Sequence, residues 1–290
     1  MQTLQRFFVL AFFLLSGVTA WADEPLEPEL YEEVVRIPVP PVSADEAPAS
    51  IIVTHFRPQG PGPFPVLVLS HGNPPSAADR VKVGRFRQIP QIREFIQRGY
   101  AVIVPVRRGY GATGGGFAEG YKNCNAAEYL HAGLEAARDV LATVDYARTL
   151  PFVRSDRLIL AGQSAGGFAS VAAASLRPQG LVAVLNFSGG RGGNPKKSPG
   201  VPCGPEAMAE VFAQFGKTTL APVLFHYVEN DRFFGPEFTR SWFEAFEHAG
   251  GKGTFVLQPS YGRDGHGMFY FSNALNIWTQ AMDSFLKEIQ

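Results

Sequence analysis

The chain opens on an unbroken apolar run, residues 7–15, behind a single basic side chain, Arg6. Beyond it the pattern changes to short apolar blocks cut by polar, Gly- and Pro-rich segments. Residues 31–38 and 50–56 are rich in Val, Ile and Thr and predict two early strands. Residues 64–70 (FPVLVLS), 100–106 (YAVIVPV) and 181–187 (LVAVLNF) are almost wholly apolar, as strands buried on both faces are. Helical spacing appears between them. Phe86, Ile89, Ile92 and Phe95 step by three within 85–98 and stop at Gly99; Leu130, Leu134, Ala137, Leu141 and Val144 form one stripe within 125–150. The rest reads as strand 157–161, a small-residue helix 166–176, helix 205–216, strand 222–228, helix 236–249, strand 253–258 and an amphipathic helix 273–290.

Two leading strands followed by strand–helix alternation predict an α/β fold: a mostly parallel, doubly wound sheet with helices on both faces. No repeat, low-complexity tract or linker divides the chain, so residues 23–290 are expected to form a single domain, within the size one core supports. Residues 1–22 read as a secretory signal peptide: a positive start, the apolar run, and the small-x-small site Ala20-Trp21-Ala22 before acidic Asp23-Glu24. An uncleaved membrane anchor is the alternative. No later segment has 18 uninterrupted apolar residues, so the mature chain is expected to be soluble, without a membrane span, and periplasmic or secreted.

Composition narrows the function. The 26 Lys and Arg balance 26 Asp and Glu, and no basic tract appears, which argues against a nucleic-acid partner. Two cysteines cannot build a disulfide scaffold or a four-cysteine zinc site. In an oxidising compartment Cys124 and Cys203, both in Gly- and Asn-rich loops, pair in one reading and stay free thiols in the other.

The chemistry concentrates at Gly162-Gln163-Ser164-Ala165-Gly166, which lies between an apolar strand and a helix. That is the setting of a nucleophile elbow, a turn so sharp that only small neighbours fit around its serine. A serine hydroxyl needs a base, and the base an orienting acid. Of six histidines only His266 falls in a loop after the last strand. Asp231 begins the turn after strand 222–228 and is the preferred acid; Glu229 and Asp264 are the alternatives. The amide of Ala165 and an amide after strand 64–70, that of Asn73 or else Gly72, would form the oxyanion hole. His71 is expected to brace that loop. Arg108 and Tyr110 follow strand 100–106 and either pack the loop or face substrate; Phe233, Phe234 and Phe269 are core or the walls of an acyl pocket.

The whole of residues 30–290 resembles the α/β-hydrolase superfamily, and within it the dienelactone hydrolase-like and prolyl-oligopeptidase-like branches. The resemblance rests on His71-Gly72, Arg107-Arg108-Gly109-Tyr110-Gly111, residues 162–166, Asp231 and Gly265-His266-Gly267. Dienelactone hydrolases carry a cysteine where this chain has Ser164, and prolyl-oligopeptidase relatives a large propeller that has no counterpart in the few dozen residues before the first core strand. The resemblance implies a serine hydrolase with Ser164, Asp231 and His266 as catalytic triad, acting on a small ester or acyl substrate without metal or organic cofactor. An exported peptidase or amidase on the same scaffold is the first rival, a catalytically silent binding protein the second.

Overall fold

The computed structural model describes residues 25–74 and 76–289. The expected leader at 1–22 lies outside the described residues. Eight strands form one sheet: β1 (Glu33–Val39), β2 (Ala49–Phe56), β3 (Phe64–Ser70), β4 (Ala101–Val106), β7 (Val153–Gln163), β8 (Leu181–Phe187), β9 (Val223–Val228) and β10 (Gly253–Gln258). Their order is β1-β2-β4-β3-β7-β8-β9-β10. The pairs β1–β2 and β2–β4 are antiparallel and all later pairs are parallel. Strands β5 (Lys122–Asn123) and β6 (Ala126–Ala127) make a separate small hairpin.

The near-continuous apolar strands follow from burial on both faces. Along β3, Val66 and Val68 join one core while Leu67 and Leu69 join the other; Leu158 and Leu160 of β7 alternate with Ile159 and Ala161 in the same way. Helices α3 (Tyr129–Arg148), α4 (Ala165–Ser175), α5 (Pro205–Gly216) and α6 (Pro236–His248) cover the first face. Helices α2 (Ile89–Gln97) and α7 (Leu275–Glu288) cover the second. A four-residue helix, α1 (Ala77–Arg80), precedes α2. This is the α/β-hydrolase architecture. Among the described residues no helix is long and apolar enough to cross a membrane.

Where element boundaries depart from expectation, the cause is local. Helix α3 starts at Tyr129, not near residue 125, because the Asn123 Oδ1 accepts the amides of Asn125 and Ala126 at 3.0 and 3.2 Å and turns the chain into the hairpin. Helix α2 starts at Ile89, four residues late, since Phe86 takes a left-handed φ of 54°. Strand β7 begins at Val153, hidden in the sequence by exposed Arg154, Ser155 and Asp156.

Register sets the functional edge. Ser70 of β3 pairs with Gly162 of β7, and Gln163 pairs with Phe187 of β8, so three strands end at one level. Strand β3 lies between β4 and β7, where the order along the sheet reverses, and the crevice at such a reversal is where ligands settle in open parallel sheets. Loops 71–74, 107–121, 188–204, 229–235 and 259–264 leave from this edge. Cys124 and Cys203 are bonded, with Cα atoms 5.1 Å apart, and tie the β5–β6 hairpin to the 188–204 loop. The bond spans 79 residues, which in the loop-entropy account stabilises the fold by about 4 kcal/mol. Replacing both cysteines by alanine is expected to lower the unfolding free energy by up to about that amount in urea titrations, with α/β circular dichroism retained.

Candidate active site

Ser164 sits at φ 55°, ψ −123°, a conformation that is costly for a residue with a Cβ. It persists because the chain around it has no room to relax. A Cβ on Gly166 would stand 2.1 Å from the Ser70 carbonyl oxygen, one on Gly162 2.3 Å from the Gly166 carbonyl carbon, and one on Gly167 2.3 Å from Asn186 Oδ1. Strand β7 and helix α4 therefore meet at backbone contact, and the serine between them is pushed out at the strand edge. Its amide donates to the Phe187 carbonyl (2.9 Å), and its carbonyl accepts from the amide of Gly190 (3.3 Å). Ala165 opens α4, so its amide is one of the first-turn donors that a helix leaves unused, at the positive end of the helix dipole.

His266 and Asp231 come together from two further loops. The His266 Nδ1–H donates to Asp231 Oδ2 at 2.9 Å. The other oxygen, Oδ1, accepts the amides of Phe233 (2.8 Å) and Phe234 (3.0 Å), so one carboxylate both shapes its own turn and orients the imidazole. Asp264 Oδ1 accepts the amides of His266 (3.1 Å) and Arg232 (3.0 Å) and pins the two loops to each other. Asp264 thus acts on backbone, and Glu229 bonds Ser260; neither alternative acid is hydrogen-bonded to the imidazole. Gln163, the residue before the serine, donates from Nε2 to the His266 carbonyl (2.8 Å) and accepts from the Tyr270 hydroxyl (2.6 Å).

A cavity of about 270 Å³ opens on this set, lined by Ser164, His266, Asn73, Phe86, Phe233 and Tyr270 among others. Phe233 stacks on the His266 ring at 4.0 Å, and Phe234 meets it edge-on at 5.2 Å. A smaller cavity of about 80 Å³ adjoins Ser164 and Asn73 and adds Ala165, Gly190, Arg191 and Tyr121. Asn73 and Ala165, the two candidate oxyanion donors, both line it. Among the described residues, no group of three or more His, Cys, Asp and Glu side chains is placed to hold a metal ion.

The loop carrying Asn73 is fixed by His71. Its Nε2 accepts the Arg107 amide (3.1 Å), which leaves Nδ1 protonated to donate to the Gly72 carbonyl (2.7 Å). Burial, reinforced by the Arg107 charge, lowers its pKa to about 3. Behind it, Glu119 is enclosed by Arg107, Arg191 and the Tyr110 hydroxyl. Burial pushes its pKa up, but the two guanidinium charges prevail and hold it at about 2.

Three candidate substrate residues line neither of the two cavities at Ser164. Arg108 donates from its amide and Nε to Asp139, both at 2.7 Å, and from Nη2 to Glu135 at 2.9 Å, so its charge is consumed in fastening the loop to α3. Tyr110 is fully buried, its hydroxyl on Glu119 (3.0 Å) and its ring edge-on to His71. Phe269 stacks on Phe187 at 4.7 Å and meets Trp278 at 5.0 Å within the core under α7. Ion pairing holds Arg108 away from the cavities, and burial holds Tyr110 and Phe269 away, although all three lie near the strand edge. Sequence reasoning also passed over Gln163, Tyr270, Glu119 and Arg191. Gln163 lies at an unspecified position of its motif. Glu119 and Arg191 are lone charges in glycine-rich loops, and that isolation was the available signal.

A family model described as X-Pro dipeptidyl-peptidase (S15 family) matches residues 49–195, half of the chain. The chain belongs to this family. No curated protein sequence matches this S15-family chain. Among solved structures it is similar to an acetyl xylan esterase from Paenibacillus sp. R4 (20% identity, TM-score 0.58, covering 90% of this chain and 89% of that one). A protein described as a dienelactone hydrolase from Klebsiella pneumoniae gives 17% identity and TM-score 0.58, covering 88% and 98%. The acylaminoacyl peptidase of Pyrococcus horikoshii gives 14% and 0.59 over 89% of this chain, which spans only 42% of that one. At these identities the likeness is one of fold alone, the α/β-hydrolase fold, which structures described as esterases and as peptidases share.

The buried histidines give a direct check. His226, on β9, is likewise held neutral by burial, its pKa lowered to about 4. Because both folded values lie below the ordinary 6.5, the stability these groups contribute is complete above that pH and is lost as pH falls towards 3–4. Imidazole NMR signals of His71 and His226 are expected to stay those of neutral rings from pH 8 to 5. A midpoint near 6.5 for either would contradict the burial described.

Proposed function

We propose that this α/β hydrolase is a serine esterase that cleaves short carboxylic esters through Ser164, His266 and Asp231. The observation that carries the reading is the 2.9 Å bond from His266 Nδ1 to Asp231 Oδ2, with His266 and Ser164 lining one cavity. In this reading His266 Nε2 takes the Ser164 proton as the hydroxyl attacks the ester carbonyl. Asp231 holds the tautomer and stabilises the imidazolium. The amides of Ala165 and Asn73 receive the oxyanion. His266 returns the proton to the leaving alcohol, then activates water to release the acid from Ser164.

The ester choice is supported by the cavity lining. Val83, Phe86, Phe233 and Tyr270 make walls suited to a small acyl or alkoxy group in a cavity of about 270 Å³. Among the described lining residues none is Asp or Glu, so nothing there offers a counter-ion to the free ammonium of a peptide amino terminus. Peptide or amide cleavage is the second reading, favoured by the family match. Export is part of the proposal and is supported by the Cys124–Cys203 bond, since disulfides persist in oxidising compartments.

Ser164→Ala is expected to lower kcat/KM for 4-nitrophenyl acetate by at least ~1000-fold while the urea transition is retained. Undiminished turnover in that variant refutes the assignment of the nucleophile. On the wild-type enzyme, short 4-nitrophenyl esters should outpace dipeptidyl 4-nitroanilides. The reverse ranking selects the peptidase reading.

A further inference from the structure

Arg191 has no role in the reaction just described, yet it is placed where one is available. It follows Ser188-Gly189-Gly190 after β8, and the Gly190 amide donates to the carbonyl of Ser164 itself. The residue is 3% exposed and lines the smaller cavity together with Ser164, Ala165 and Asn73. One of its nitrogens, Nη2, donates to Glu119. The other two, Nε and Nη1, are buried without a hydrogen-bond partner among the described residues.

Glu119 is the carboxylate bonded to Arg191, and Arg107 shares it; His71 beside them is held neutral, and the Tyr110 hydroxyl is kept protonated by burial. The Tyr129 hydroxyl, also near Arg191, is occupied with the Cys203 carbonyl and stays protonated by burial. Two guanidinium groups therefore share the Glu119 carboxylate; the next acid, Asp139, acts on Arg107 but is itself paired with Arg108. Burying unmet donors of a cation is unfavourable unless an anion completes them. The loop spends glycine on this arrangement: a Cβ at Gly192 would fall 2.2 Å from the Tyr129 hydroxyl, and one at Gly193 2.6 Å from Phe233 Cβ. Covalent closure at Cys203 and the Cys203 amide on the Gly192 carbonyl (3.0 Å) hold the loop there.

We infer that Arg191 forms a carboxylate-binding subsite beside the nucleophile, so that the preferred ester carries a carboxylate close to its scissile carbonyl. The inference rests on the esterase reading of Ser164. A cavity of about 80 Å³ suits a group of carboxylate size, and the unpartnered N–H groups of a guanidinium make strong charge-assisted hydrogen bonds to a carboxylate. Such a contact, made inside a buried site, is little screened by salt.

The test has a kinetic and a binding arm. Wild-type kcat/KM is compared for two pairs of esters that differ in one carboxylate: 4-nitrophenyl hemisuccinate against 4-nitrophenyl butyrate, and 4-acetoxybenzoate against 4-methylphenyl acetate. At least one charged member should exceed its neutral twin by roughly ten- to a hundredfold. That ratio should collapse in Arg191→Gln and be partly restored in Arg191→Lys. The binding arm uses Ser164→Ala protein, in which succinate should raise Tm above the value with equimolar succinamide. No charged preference in the wild-type enzyme, where Ser164-dependent ester turnover is present, overturns the inference and leaves the esterase reading standing. So does a preference that survives in Arg191→Gln. If esters are not hydrolysed at all, the esterase reading falls, and equal Tm values with succinate and succinamide then overturn the carboxylate subsite on their own.

Discussion

Everything functional in this molecule depends on the contact between β7 and α4 at backbone distance. Gly162, Gly166 and Gly167 have no side chains because carbonyls and Asn186 occupy the space those side chains would need. That crowding keeps Ser164 at a left-handed φ which a serine in a looser turn would leave. The same closeness points the first turn of α4 at the strand edge. A single steric constraint therefore fixes Ser164, aims the Ala165 amide and sets the level to which the flanking loops must reach.

A second layer holds those loops, and it is electrostatic. The edge beside the elbow contains a chain of buried charges: Arg108 with Asp139, Arg107 with Glu119, and Glu119 with Arg191. Ion pairs of this kind recover little more than their desolvation cost, so their value lies in geometry. Arg107 spans two parts of the site, donating to the His71 carbonyl (2.8 Å) while its own amide fixes the His71 tautomer. The loop that offers the Asn73 amide is therefore positioned from a strand away.

Much of this was legible in the sequence because it obeys local periodicity. The alternation of apolar blocks with helical stripes gave the sheet and its two covering layers, since each strand is buried on both faces. The elbow was legible because its glycines serve a steric need confined to five consecutive residues. His266 and Asp231 could be singled out by their place after particular strands. What remained hidden depends on pairings between distant segments. The antiparallel partnership of β2 with β4 carries no mark in either strand. The hairpin at 122–127 was masked by an apparent extension of the α3 stripe. Whether Arg108 or Arg191 would face the cavity was set by which of them found Asp139 and Glu135 on α3, and no local pattern records that.

The bond between Cys124 and Cys203 also divides the chain topologically. It closes a covalent ring that contains α3, β7, the elbow, α4 and β8, with Ser164 and Arg191 both inside it. Asp231 and His266 lie on the open tail that leaves the ring at residue 203. Ser164 and Arg191 thus stay within one cyclic segment even when the sheet is taken apart, whereas Asp231 and His266 must be brought back to that segment by the return of β9 and β10.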